Sequence, residues 1–258
     1  KAETQGSGVR VYPVGAVSKG LAGVEMAEIG RMKEAGIIAI SDDGQPVANS
    51  NLFRLAMQYA DHFGLFIMSH SEDKNLVGDG VMNEGFVSTK LGLPGTTRAA
   101  EEVMIARDIL VAEAEGKRVP LCHVSTRGGV QLVREAKARG VRVTAETTPH
   151  YIGATDEWVI GYDSRCRVNP PLREEADRQA CIDGLCDGTI DVIATDHAPH
   201  HEDEKRCEFH IAASGISGFE TAHFAWRWVL EKENYCITCN SCWYYYPFWE
   251  WHCYKIFE

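Results

Sequence analysis

No run of about 18 apolar residues occurs in the 258-residue chain, so the sequence offers no membrane-spanning helix. Basic side chains are scarce, with 26 Lys and Arg against 37 Asp and Glu, a formal charge of −11 with His neutral. Nucleic acids and anionic bilayers are held by basic patches, so neither is expected as a partner. The opening stretch KAETQGSGVR has no initiator Met and no apolar signal-peptide core, and we expect the chain to begin inside a longer protein. A paired-cysteine framework is also missing. Nine Cys is an odd number, and Cys122, Cys166, Cys181, Cys186 and Cys207 are scattered. That usage suits a reducing, cytoplasmic location. The 45% apolar and 24% charged content is ordinary for a chain that buries a real core.

What is present is an alternation. Apolar, β-type runs occupy 9–18, 36–44, 64–73, 118–126, 141–150 and 190–200. Between them lie amphipathic stretches at 23–36, 50–64, 96–116, 128–140 and roughly 173–187, the second opening on Ser50 or Asn51 as a cap. Strands that are nearly all apolar are buried on both faces, and helical crossovers make them parallel. An α/β fold follows. A glycine-rich phosphate loop is absent, and five of the six runs end on Ser, Thr, Asp, Glu or His. Polar groups from many strand ends are the habit of the (β/α)8 barrel, whose chemistry sits at that face. The expected architecture is a partial barrel of six strands.

The last apolar run, VIATDHAPHH (192–201), stops at Asp196 and continues with His197, His200 and His201. A histidine-rich surface loop is one reading. The other is a metal site, because Asp42, Asp43, His70, His123, Glu146, His150 and Asp196 all fall at the same end of their runs. Imidazole with carboxylate suits a borderline cation such as Zn²⁺.

The motifs SDDG (41–44), SHSED (69–73), CHVST (122–126), TAETTPHY (144–151), NPPLR (169–173), DGTIDVIATDHAPH (187–200) and SGISGFETA (214–222) resemble the dihydroorotases of the amidohydrolase superfamily, in the bacterial type with Asp-Asp-Gly after barrel strand 4. The intervals also agree: 27 residues from Asp43 to His70, 53 to His123 and 73 to Asp196. The resemblance implies Asp43, His70, His123 and Asp196 as ligands of one or two Zn²⁺, with Asp196 also the catalytic proton-transfer group. It implies Asn169 against the pyrimidine ring, His200 at the substrate carboxylate, and the backbone of Ser214 and Gly215 across the ring. His197 and His201 are read as structural or exposed. The implied activity is reversible hydrolysis of dihydroorotate to N-carbamoyl-aspartate in pyrimidine (UMP) biosynthesis, with a homodimer or aspartate transcarbamoylase as protein partners.

The family's first strand ends in a His-x-His pair, followed closely by a substrate-binding Arg. No His-x-His occurs in these 258 residues. The expectation is therefore barrel strands 3–8 over residues 1–232, with strands 1 and 2 absent and little activity from this chain alone. Residues 233–258 form an atypical tail. The stretch 234–258 holds ten of the 24 aromatics and Cys236, Cys239, Cys242 and Cys253, which are read as non-native sequence over a half metal site completed near His252. Rival readings are a hydantoinase or allantoinase, which would bridge its metals with a carboxylated Lys where this chain has Asp, and an inactive scaffold homologue.

Overall fold

Short Val-, Ile- and Ala-rich segments that must pair in parallel need a helix or long loop to return the chain each time, and the chain supplies one after every segment. The computed structural model describes residues 10–219 and residue 222. In chain order it forms β1 (Val14–Gly15), α1 (Ile29–Ala35), β2 (Ala39–Ile40), α2 (Ser50–Asp61), α3 (Lys74–Val77), β3 (Met82–Asn83), α4 (Phe86–Leu91), β4 (Gly95–Thr96), α5 (Ala99–Glu115), β5 (Val119–Leu121), α6 (Arg127–Ala138), β6 (Val143–Thr147), α7 (Pro149–Gly153), α8 (Glu175–Asp187), β7 (Val192–Ile193) and α9 (Glu202–Lys205).

All six apolar runs contribute to one parallel series. Val14 pairs with Ala39 and Gly15 with Ile40. A parallel bridge joins Ile40 to Ile67, with the Met68 amide donating to the Ile40 carbonyl at 2.9 Å. The next bridge joins Ser69 to Leu121. Then β5 pairs with β6 from Val119–Val143 to Leu121–Ala145, and β6 with β7 at Glu146–Val192 and Thr147–Ile193. Ile40, Ile67, Leu121 and Ala145 share one buried cluster with Phe53 and Met57 of α2, Ile105 and Ile109 of α5, Val130 and Val133 of α6, and Ile182 of α8. Full burial of each large aliphatic side chain is worth about 1.5–3 kcal/mol, so this layer between strands and helices dominates the fold's stability.

Three sequence expectations change. The strands are not uniformly buried on both faces. β6 alternates, with Val143, Ala145 and Thr147 buried toward the helices while Thr144 and Glu146 are only partly covered. β1 ends the series, and Val11, Tyr12 and Val14 are 45%, 51% and 44% exposed, because β2 covers one edge alone among the described residues. Helix α1 begins only at Ile29, since a 3₁₀ turn at Lys19–Leu21 and an antiparallel Ser18–Met26 bridge use the earlier residues. The cap of α2 is Asn49, not Ser50 or Asn51. Its side-chain oxygen accepts from the amides of Asn51 at 3.0 Å and Leu52 at 3.1 Å, a contribution of about 1 kcal/mol.

Residues 74–96 carry structure that periodicity did not signal. β3 and β4 make a small parallel pair, Met82 opposite Gly95 and Asn83 opposite Thr96. A Cβ on Gly95 would lie 2.5 Å from the Glu84 Cα, so only glycine allows this approach. The pair stands at the same end of the sheet as the polar residues and becomes one wall of the site.

Candidate active site

Three side chains from three consecutive strand ends converge. His70 Nδ1 lies 2.8 Å from His123 Nε2 and 2.9 Å from Asp43 Oδ1, and His123 Nε2 lies 3.5 Å from the same oxygen. All three ligand atoms fall within 4.8 Å of one another. Both imidazoles are buried, whereas the Asp43 side chain is 59% exposed and faces the cleft. Burial pulls the His123 ring down, but its hydrogen bond and attraction to Asp43, with Asp196 and Glu146 beyond, raise it to about 9. Hydrogen bonds from His123 and His70 hold the Asp43 carboxyl well below the usual range.

The two aspartates of SDDG part company. Asp42 is buried and turns back, its carboxylate accepting from the Val17 amide at 2.7 Å, the Ser18 amide at 3.1 Å and the Ser18 hydroxyl. It ties the end of β1 to the end of β2 and leaves Asp43 to face the site. The histidine strand ends are gripped from behind by one helix. On α5, buried Asp108 accepts from the hydroxyls of Ser69 and of Ser71 (3.2 Å), the two neighbours of His70. Two turns earlier, buried Glu101 accepts from the amides of Ser125 at 2.8 Å and Thr126 at 3.1 Å, just past His123. Arg173 of NPPLR closes this network. Its guanidinium pairs with Glu101 at 3.3 Å and donates to Ser125 Oγ at 3.1 Å and to Asn83 Oδ1 and the Thr96 carbonyl at 3.3 Å.

A cleft of about 460 Å³ opens over the triad. Asp43, His70, His123, Asn169, Asp196, Ser214 and Gly215 all line it, so the structure brings seven of the eight expected site residues to one cavity. Asp196 shares the wall but not the tight three-residue cluster. Burial raises its carboxyl, opposed by attraction to His123 and reinforced by repulsion from Asp43. His123 and Asp196 both adopt positive φ, 41° and 46°, a conformation that costs a non-glycine residue about 1–3 kcal/mol and clusters at functional sites. His200 stands behind the wall. Its Nε2 donates to the Ser214 carbonyl at 3.0 Å, and Nδ1 lies 3.5 Å from Glu204. Gly215 has φ 155°, and a Cβ there would meet the Ala198 carbonyl at 2.5 Å and His200 Nε2 at 2.8 Å.

The two remaining histidines are structural. His197 Nδ1 accepts from the amides of Gly218 at 3.0 Å and Phe219 at 3.3 Å, and its ring stacks on Phe219 at 3.7 Å. His201 is exposed and caps α9, accepting from the Asp203 amide at 3.3 Å. Glu146 and His150 do not line the cleft. Burial raises the Glu146 carboxyl; burial, helped by His123, lowers the His150 ring to about 3. Lys74, Glu72 and Arg167 line the cleft without having been expected there. Burial would raise the Glu72 carboxyl, but bonds to His70 and Lys74 outweigh it and bring it to about 2. The signal was in SHSEDK, where even-numbered positions repeat on one side of an extended chain. The Cys236–Cys253 region lies outside the described residues.

The donor set fits a cation. Two imidazole nitrogens 2.8 Å apart, with one carboxylate oxygen 2.9 Å and 3.5 Å from them, crowd three potential ligand atoms onto one point that a cation would bridge. Two nitrogens and one carboxylate oxygen with an open side toward solvent form the usual ligand count for a catalytic zinc.

The chain is also similar to known proteins along most of its length. A family model described as dihydro-orotase-like matches residues 2–129. The dihydroorotase of Pelotomaculum thermopropionicum is 60% identical over 214 residues, covering 83% of this chain and 50% of the relative. That of Syntrophotalea carbinolica is 56% identical over 218 residues, covering 84% and 51%. The chain thus spans about half the length of the curated relatives it matches. Among solved structures, an L-hydantoinase (dihydropyrimidinase) from Arthrobacter aurescens superposes with a TM-score of 0.67 at 22% identity, over 82% of this chain and 49% of that one. The Saccharomyces cerevisiae dihydroorotase bound to 5-fluoroorotic acid gives 0.63 at 16% identity, over 85% and 61%. Those structural likenesses establish the shared α/β fold; the sequence identities, sustained over more than four-fifths of the chain, place it in the dihydroorotase family.

Proposed function

We propose that this chain carries the zinc-binding and proton-transfer side of a dihydroorotase site, built on strands 3–8 of a (β/α)8 barrel within residues 1–232. The single observation that carries this reading is the convergence of Asp43, His70 and His123 within 4.8 Å at the floor of a cleft that Asp196 and Asn169 also line. Zinc, when bound, acidifies a water from a pKa of about 16 toward about 7 and polarises the ring carbonyl. Asp43, His70 and His123 would hold it. Asp196 takes the proton from the attacking water and returns it to the ring nitrogen as the C–N bond breaks, giving N-carbamoyl-aspartate. The burial that raises its carboxyl brings its basicity closer to that work. Asn169 contacts the ring from one side, and the backbone at Ser214 and Gly215 from the other. His200, bonded to the Ser214 carbonyl, orders that backbone within reach of the substrate carboxylate. Asp43 stands where a hydantoinase would use a carboxylated Lys, and the relatives at 54–60% identity are named dihydroorotase. Both favour dihydroorotate over hydantoin as substrate. A cytoplasmic location follows from the same reading.

The test is calorimetric. The Zn²⁺-loaded chain is titrated with dihydroorotate and with hydantoin. Zinc-dependent binding of dihydroorotate, weakened by Asn169→Ala, is the expected result; a preference for hydantoin, or binding indifferent to zinc, overturns it. Where a His-x-His pair completes the site, Asp196→Asn keeps most substrate affinity and cuts turnover by about 10², the usual worth of a positioned acid–base group.

A further inference from the structure

Helix α9 follows His200 and His201 and ends at Lys205, a half-buried residue that the resemblance does not assign. Its ammonium donates to three main-chain carbonyls: Ser164 at 3.1 Å, Arg167 at 3.0 Å and Ala213 at 2.7 Å. An ammonium has three hydrogens and accepts nothing, so every donor is used. Lys205 does not line the cleft. Its acceptors stand beside residues that do: Arg167 comes two positions before Asn169, and Ala213 directly precedes Ser214 and Gly215. The Arg167 carbonyl also accepts from the Gly215 amide at 3.0 Å. We propose that Lys205 is the positioning residue that holds the Asn169 stretch and the Ser214–Gly215 stretch at the separation a ring needs between them. This inference rests on the dihydroorotase reading above, which puts those stretches on either side of the substrate ring.

The reasoning is geometric. No strand pairing joins residues 164–169 to residues 213–215. Among the described residues one backbone hydrogen bond, from Gly215 to Arg167, connects them directly. A single bond leaves the two stretches free to pivot. The ammonium adds an acceptor from each stretch to the same nitrogen and so converts a pivot into a fixed spacing. Lys205 is itself anchored to both. The Ser164 hydroxyl donates to the Lys205 carbonyl, and the Ala213 amide donates to the Glu204 carbonyl at 3.0 Å. Because its hydrogens are all taken by the main chain, Lys205 acts on the substrate only through the residues it places. A lysine serving loop stability alone would leave ring affinity unchanged when replaced.

The experiment compares the wild-type chain with Lys205→Met and Lys205→Arg. Three measurements are made: calorimetric titration of the Zn²⁺-loaded proteins with dihydroorotate, Co²⁺ titration followed by absorption, and residue-resolved amide exchange of the ligand-free proteins. In Lys205→Met we expect dihydroorotate affinity to fall about tenfold, the worth of one hydrogen bond to the ring. The Gly215 amide is expected to exchange about tenfold faster, with Co²⁺ affinity and the Val124 amide unchanged. Lys205→Arg keeps the charge, but a planar guanidinium cannot aim three hydrogens from one nitrogen, so it recovers only part of either loss. Full recovery by Lys205→Arg assigns the effect to charge and overturns the proposal. Unchanged ring affinity in Lys205→Met overturns it too, as does Co²⁺ affinity that falls in step with ring affinity. If Lys205→Met fails to fold by circular dichroism, Lys205→Arg decides: wild-type ring affinity and Gly215 exchange there overturn the proposal. A wild-type chain that binds no dihydroorotate defeats the dihydroorotase reading, while Gly215 exchange in the ligand-free proteins still decides whether Lys205 holds the two stretches.

Discussion

The two walls of the cleft are built by opposite means. The wall that carries His70 and His123 is fixed from behind by buried charge: Glu101 and Asp108 of α5 hold the serines and threonine beside each histidine, and Arg173 ties Glu101 to the NPPLR loop and to β3 and β4. The opposite wall, from Asp196 to Gly215, is partly exposed and held mainly through backbone groups, with the Lys205 ammonium donating to the carbonyls of Ser164 at 3.1 Å, Arg167 at 3.0 Å and Ala213 at 2.7 Å. His197 bonds two backbone amides, His200 one carbonyl, and the Ala198 amide donates to the Ile216 carbonyl at 2.9 Å. The lesson concerns division of labour. A cation needs its ligands preset to a few tenths of an ångström, whereas a wall that admits and releases a substrate belongs to the less stable part of a fold.

The sharpest way to break the rigid wall is Glu101→Ala. Arg173 would be left as a buried guanidinium without its carboxylate, and breaking a buried pair from one side costs about 3–5 kcal/mol. Urea unfolding measures it. The double replacement Glu101→Leu with Arg173→Met is expected to recover most of that loss, since apolar substitutes for a buried pair are often neutral. A single-variant loss under about 1 kcal/mol would remove the network from its place in the comparison. Asp108→Ala comes next, at about 1–3 kcal/mol. Its cost is smaller because Arg107 keeps another acceptor, the Val47 carbonyl at 2.9 Å, and only the Ser69 and Ser71 hydroxyls lose their partner. The same variant should broaden the His70 resonances while leaving those of His197 unmoved.

This contrast also explains what could be read in advance. Polar residues at strand ends follow apolar runs directly, so Asp43, His70, His123 and Asp196 stand out, as do the six parallel segments. Which Asp of SDDG faces the cleft came from the family resemblance and not from the apolar pattern, because both end the same strand and only the fold turns Asp42 toward Val17 and Ser18. Glu101 and Asp108 were invisible for another reason: an acid on a helix ordinarily reads as solvated. Only their seven-residue spacing, on the face that also buries Met104, Ile105 and Ile109, marks them as interior. The β3–β4 pair, with strands of two residues, is too short for any periodicity to register.

The smallest expected global effect tests the softer wall. His197→Ala removes the acceptor of the Gly218 and Phe219 amides and the ring stacked on Phe219. Each neutral hydrogen bond is worth about 0.5–1.5 kcal/mol, and the stacking adds a comparable amount, so a loss of one or two kcal/mol is available locally. A wall that opens on its own does not pass that loss to the whole fold. The unfolding midpoint is therefore expected to move little, while the amide of Gly218 exchanges with solvent about tenfold faster or more. Hydrogen exchange read residue by residue separates the two: faster exchange confined to 196–219 supports independent opening of this wall. If instead the amides of Cys122 and Val124 on the histidine wall speed up to the same degree, the two walls open as one unit. The contrast between them then fails.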